Sequence, residues 1–218
     1  MASHNTAEEV EQQYLDAMGP ALGRLFHALW NDVARVHANW QEYRTLYGTS
    51  EDNIGVLNET AAYFFRVIQD ALWEGTLLHL CRLTDPATMG KYTNLTLAKL
   101  PELMDDSELR LTVSGLVDRA VAATDFARDW RNRHIAHSDL KIAIGGQAAP
   151  LKAGSRKLVE EALDAIRATM NCVDIHFRGT QVAYEHFFTD GSDADAVLFH
   201  LRRSIELEQR ERRQLGLE

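Results

Sequence analysis

Along the longest segments of the chain, apolar residues recur at steps of three and four rather than in strict alternation, the spacing that lines one face of an α-helix. Leu22, Leu25, Phe26, Leu29, Val33, Val36 and Trp40 form such a stripe within a helix predicted over residues 7–47, with Gly19-Pro20 as a candidate break. Gly48 to Asn53 reads as a turn. From Leu57 to Leu83 the apolar arc widens to include Ala61, Phe64, Phe65, Ile68, Leu72, Leu77 and Leu78, as expected of a helix central to a bundle. Thr84-Asp85-Pro86 ends it, because the residue before a proline avoids helical geometry.

A flexible piece at Met89 to Tyr92 leads to a short helix near Leu95 to Met104, with Asn94-Leu95-Thr96 marking its start. Asp105-Asp106-Ser107 then offers N-caps for the helix with the most regular seam. Val113, Leu116, Ala120, Ala123, Ala127 and Trp130 alternate steps of three and four, and continuing the count reaches His134 and His137. Two imidazoles stand where the next core residues would. After a loop of small residues at 141–154, Ser155 caps a helix through Leu158, Leu163, Ile166, Met170, Val173 and Phe177, which Gly179 stops. A last helix begins near Asp193 and carries Val197, Leu198, Leu201 and Ile205. The charged run after it, residues 206–218, reads as a solvated tail.

With 218 residues, 45% of them hydrophobic, and only four prolines, the pattern describes one all-α domain with a full core. No apolar run approaches the roughly 20 residues that span a bilayer, and the chain opens on acidic and polar residues rather than on a signal sequence. A soluble, unexported, cytoplasmic protein without a membrane partner is expected. Cys81 and Cys172 lie among apolar neighbours and read as small core residues.

The net charge of −9 argues against a general nucleic-acid coat, because affinity for a polyanion comes largely from Lys and Arg. Its distribution changes the picture: residues 1–127 carry 9 basic and 18 acidic side chains, residues 128–218 carry 14 of each. An anion-binding surface therefore belongs in the second half, where residues 130–139 read WRNRHIAHSD. Arg131 and His134 are three residues apart on one helix face, so they can reach a common ligand, and His137 follows one turn later. Asn132 brings both a donor and an acceptor.

Those residue types suit RNA cleavage without a metal or cofactor. A neutral imidazole can take the proton of a ribose 2′-hydroxyl, a protonated one can supply the leaving 5′-oxygen, and an arginine can hold the charge that collects on phosphate. Two other readings stay open on the residues alone. The stretch could be a helix end whose cations complement the backbone dipole, or a metal site built from His134 and His137 with Asp139 or His79.

RNRHIAHSD resembles the Arg-x₄₋₆-His signature of the HEPN superfamily, and more narrowly its U-type abortive-infection branch. The likeness extends to the aromatic segment AYFFRVIQDALWEGTLLHLCRLTDP, to NLTLAKLPEL, to ARDWRNRHIAHSDL and to DADAVLFHLRRSI, and covers most of residues 15–205. It implies an up-and-down helical bundle of the HEPN type with an additional C-terminal helix, a single domain over residues 1–218. It also implies a homodimer whose two motifs face a shared cleft. By the same resemblance Arg131 stabilises phosphate, Asn132 is the adjoining polar residue and His137 is the acid–base group; His134 is a further candidate proton carrier. The implied activity is that of a metal-independent endoribonuclease of phage defence or of a toxin–antitoxin pair, with RNA as its ligand and an antitoxin as a candidate partner. The alternative is a non-catalytic module that binds nucleotide, RNA or another protein.

Overall fold

The computed structural model describes residues 6–136, 140, 151–186 and 191–216. Thr6 starts α1 (Ala7–Met18) with a reciprocal capping box to Glu9. Gly19 ends it at φ 77°, a left-handed backbone that favours glycine, and Pro20 opens α2 (Pro20–Tyr47) at the position where its missing N–H costs nothing. The return is tight. A Cβ built on Gly23 would lie 2.5 Å from the Tyr14 carbonyl oxygen, so α2 can approach α1 there only as glycine.

α3 (Glu51–Thr84) follows a turn shorter than the sequence suggests, and its backbone departs from helical geometry at Ala61. Past Pro86, the piece expected to be flexible is a two-residue antiparallel ladder, Thr88–Met89 against Tyr92–Thr93. The short helix expected near 95–104 is instead two consecutive 3₁₀ turns, Leu97–Lys99 and Pro101–Leu103. Asp106 caps α4 (Ser107–Ala123) through bonds from Glu108 N and Leu109 N. The long seam helix then breaks: α4 ends at Thr124, and α5 (Asp125–Trp130) is followed by a widened turn over Arg131–Ile135. Ser155 caps α6 (Arg156–Arg178) and left-handed Gly179 stops it, while Asp193 caps α7 (Ala194–Gln214). The charged run is solvated as expected, but it is helix to Gln214.

The fold is an all-α helical bundle. Two compact units divide it, one of Met1–Val36 with Leu77–Tyr184 and one of His37–Thr76 with Glu185–Glu218. In the first unit α4 packs along α6, burying Val113, Val117 and Ala120 together with Val159, Leu163, Ile166 and Met170. The second unit centres on Leu46, Leu57, Phe65, Ala194 and Leu198, and a ring cluster of Trp40, Tyr43 and Trp73 lies within it. Most of the apolar positions predicted from periodicity are buried, Phe64 and Val197 being exposed exceptions, and that burial is the main favourable term of folding.

Candidate functional site

The site is built where the C-terminal end of α3 meets α5, both in the first unit. Four successive main-chain carbonyls, the last two of α3 and the two that follow it, each accept a bond from a side chain. The Thr96 hydroxyl lies 3.0 Å from the Leu83 oxygen and 2.7 Å from that of Asp85, sharing its one proton between them. Arg128 Nη2 donates to the Thr84 carbonyl at 2.6 Å and Asn94 Nδ2 to that of Pro86 at 2.8 Å. Helix ends leave such carbonyls without internal partners, and here side chains rather than a capping glycine supply them. Asn94 and Thr96, expected to start a helix, serve mainly this turn.

Arg128 does more than cap. Its Nη1 donates to Thr124 Oγ1 and to the Val121 carbonyl, both at 2.9 Å, and Nη2 also reaches Thr84 Oγ1 at 2.7 Å. The Thr84 and Thr124 hydroxyls, both fully buried, lie 2.8 Å apart. This pair joins the end of α3 to the break between α4 and α5. At Thr124 the Ala120 carbonyl accepts from both the main-chain N–H and the hydroxyl, and the helix is interrupted at this residue.

One turn on, Arg131 Nη1 lies 2.8 Å from both carboxylate oxygens of Asp85. Its Nε donates to Asn132 Oδ1 at 3.1 Å. Of the five guanidinium N–H groups, those on Nη2 have no partner among the described residues, and neither has the Asn132 amide nitrogen. Arg133 pairs more loosely with Asp129, at 3.4 Å. Asp129 also accepts from the Lys152 main-chain N–H, while Trp130 Nε1 donates to the Lys152 carbonyl. Lys152 closes this cluster with an ion pair to Asp125. The segment returning toward α6 is thus clamped to α5 at both polar groups of one peptide residue.

Through Arg131–Ile135 the backbone bonds run five residues apart, with Ala136 N donating to the Arg131 carbonyl at 2.8 Å. Single widened turns of this kind are concentrated at functional sites. The apolar seam leaves the core here. Ala127 is buried and Trp130 half-buried, but His134 is exposed, its ring edge-on to Trp130 at 5.6 Å. The count along the seam reaches His134 where the next apolar residue would stand, and the imidazole there is exposed rather than part of the core. Arg131 and Asn132 are placed next to each other as the sequence reading requires. His137 and Asp139 lie outside the described residues.

The HEPN family model described as AbiU2 matches residues 19–197. The chain belongs to the AbiU2 HEPN family. No curated protein and no solved structure matches it. The family span takes in Asp85, Arg128, Arg131, Asn132 and His137, and makes this an abortive-infection HEPN-type protein. Within that AbiU2 frame, Arg128 caps the end of α3 and Asp85 pairs with Arg131, two contacts that spacing and composition do not signal. The only signal for Asp85 was its place in RLTDP, a helix end followed by proline.

No helix among the described residues is long and apolar enough to cross a membrane. Cys81, one turn before Asp85 on α3, is fully buried; burial pushes its thiol up to about 11, against the opposing pull of the Arg131 and Arg128 charges. It is a core thiol rather than a nucleophile.

Proposed function

We propose that this AbiU2 protein is a dimeric, metal-independent endoribonuclease that acts in phage defence, alone or as the toxin of a toxin–antitoxin pair. The observation that supports it most directly is that Arg131, held by Asp85 through Nη1 and by Asn132 through Nε, keeps Nη2 without a partner among the described residues, at a widened helical turn that also carries the exposed His134. Donors held in place before the ligand arrives need no reorganisation when negative charge builds on a phosphate. In the proposed reaction an RNA 2′-oxygen attacks phosphorus as an imidazole removes its proton. The bond to the 5′-oxygen breaks with a proton supplied to that oxygen, leaving a 2′,3′-cyclic phosphate and a 5′-hydroxyl. His137 is assigned the acid–base role, with the second imidazole coming from His134 or from the His137 of a second copy across the dimer cleft. Single acid–base groups contribute about 10²–10⁴ in rate.

The purified protein is expected to cut RNA in excess chelator and to form a dimer by light scattering. Arg131→Ala and His137→Ala are each expected to abolish cutting while the helical circular dichroism is unchanged. Cutting retained in both variants overturns the assignment, and a strict monomer counts against the composite cleft. One observation favours a second reading, in which the protein binds nucleotide, RNA or a protein without cutting. Arg131 and Arg133 are each already paired with an aspartate, so the cluster is less cationic than its sequence suggests. Micromolar binding of RNA with no cleavage of any RNA tested is the outcome that selects it.

A further inference from the structure

Ending a helix before a proline requires no carboxylate, yet Asp85 has one, and it is 13% exposed and held from several directions. Its own carbonyl is tied by Thr96, the residue before it by Arg128 and the residue after it by Asn94. The backbone at Asp85 is thus fixed independently of Arg131, which makes its carboxylate a reference point rather than a mobile counter-ion. The two residues are 46 apart in sequence and meet at 2.8 Å.

The pair also divides the guanidinium in a particular way. Asp85 engages Nη1 and Asn132 engages Nε, so the edge that remains is Nη2. A phosphate can meet that edge without displacing the aspartate. Arginine is suited to such a role because its planar fork fixes the direction of every N–H once one edge is held. We infer that Asp85 is a positioning residue, which aims Arg131 Nη2 at the scissile phosphodiester. This rests on the phosphate-binding role of Arg131 proposed above. Because Asp85 also cancels the formal charge of Arg131, the fitting ligand is a singly charged diester within an RNA chain.

Two effects oppose each other when the carboxylate is removed. The incoming phosphate loses a repulsive neighbour, which for a partly solvated charge is worth about fivefold at most. The guanidinium loses its orientation, and misplacement by roughly 1 Å can cost about 100-fold in rate. The second should win.

The test is the single-turnover cleavage of a single-stranded RNA at saturating protein, in a cycle of Asp85→Ala, Arg131→Ala and the double variant, with Asp85→Asn as the isosteric alternative should Asp85→Ala fold poorly. The expected result is a fall of about 10- to 100-fold for Asp85→Ala and a smaller one for Asp85→Asn; because Arg131→Ala abolishes cutting, the cycle is closed on the affinity for a 2′-O-methyl copy of the RNA, which Asp85→Ala should weaken only while Arg131 is present. That affinity reports independently of chemistry. In ¹⁵N-arginine-labelled protein, the Arg131 Nη1–H signals, donated to Asp85, should be resolved and slow to exchange, and lost in Asp85→Ala. An equal fall in affinity in the presence and absence of Arg131 shows a structural role and overturns the inference, as does an unchanged Arg131 signal. Faster cutting by Asp85→Ala or Asp85→Asn overturns it in favour of an inhibitory contact. A wild-type protein that neither cuts nor binds RNA instead removes the functional reading beneath it, and the inference with it.

Discussion

Replacing Arg128 with alanine tests whether the end of α3 is held by side chains. The guanidinium makes four bonds, of which two go to Thr84, at 2.6 Å to its carbonyl and 2.7 Å to its hydroxyl. Thr84 is 2% exposed and Thr124 fully buried, so water reaches neither site readily once the arginine is gone. The bonds to Val121 and Thr124 lie nearer solvent, and water can replace part of them. A hydrogen bond to a charged group contributes about 1.5–3 kcal/mol net, and leaving a buried carbonyl unmatched costs about 1–3 kcal/mol. These contributions overlap, and the buried half alone sets an expected loss of about 3 kcal/mol. For a chain of this length that corresponds to a melting temperature lower by roughly 6–12 °C. Arg66→Ala is the control, since its pair with Asp70 is an exposed one between residues four apart on α3 and is worth about 0.5 kcal/mol. Thermal melts followed by circular dichroism, with urea titration at 25 °C, separate the two. Should Arg128→Ala and Arg66→Ala melt within a degree of each other, the clamp on the α3 terminus is not a structural element and the fixed position of Asp85 loses its support.

Gly23→Ala places a Cβ 2.5 Å from the Tyr14 oxygen and 2.8 Å from its carbonyl carbon, so α1 must shift. The overpacking cost, about 1–3 kcal/mol, should exceed the roughly 1 kcal/mol gained in helix propensity, and urea titration should report a net loss. Asp174 is fully buried with Arg178 3.5 Å away, and Tyr14 and Tyr184 also face it. Burial raises its carboxyl above the usual range although Arg178 pulls the other way, so the folded state binds the proton more tightly than the unfolded one. Stability from this group is therefore greatest below the ordinary carboxylate pKa and falls as pH rises through the raised value; thermal melts over a pH series should show a flatter profile across that window for Asp174→Asn, and an unchanged profile would show that this carboxyl does not contribute it. Cys81, with its thiol pushed up to about 11, should resist iodoacetamide at pH 8 in the folded protein and react once urea exposes it.

Much of the helical order was readable because its determinants are local. Gly19-Pro20 between two stripes, the Asp106 and Ser155 caps and the left-handed Gly179 each act within a few residues of themselves. The break at Thr124 and the widened turn after Trp130 were not, since a regular three-and-four seam runs through both. At the break the Thr124 hydroxyl meets that of Thr84 across 40 residues of sequence, a contact that no local spacing signals. A separation of 46 residues hid the pairing of Asp85 with Arg131 in the same way. The Asp85 motif was visible as a helix end, but nothing in spacing or composition links a carboxylate on that turn to Arg131. Conversely, the adjacency of Arg131 and Asn132, which needs only one peptide bond, was legible at once. The 3₁₀ turns at 97–103 replace the expected helix where Thr96 is drawn to the carbonyls of α3 and Pro101 follows within five residues.

The central claim is that Arg131, at the widened turn, receives an RNA phosphodiester. Its most direct test is to express the intact protein and its Arg131→Ala form side by side and to sequence cellular RNA ends, capturing 5′-hydroxyl and 2′,3′-cyclic phosphate termini. New ends of both kinds at matching positions are expected with the intact protein and absent with Arg131→Ala at equal abundance. The same new ends from both proteins, or from neither, contradict the account.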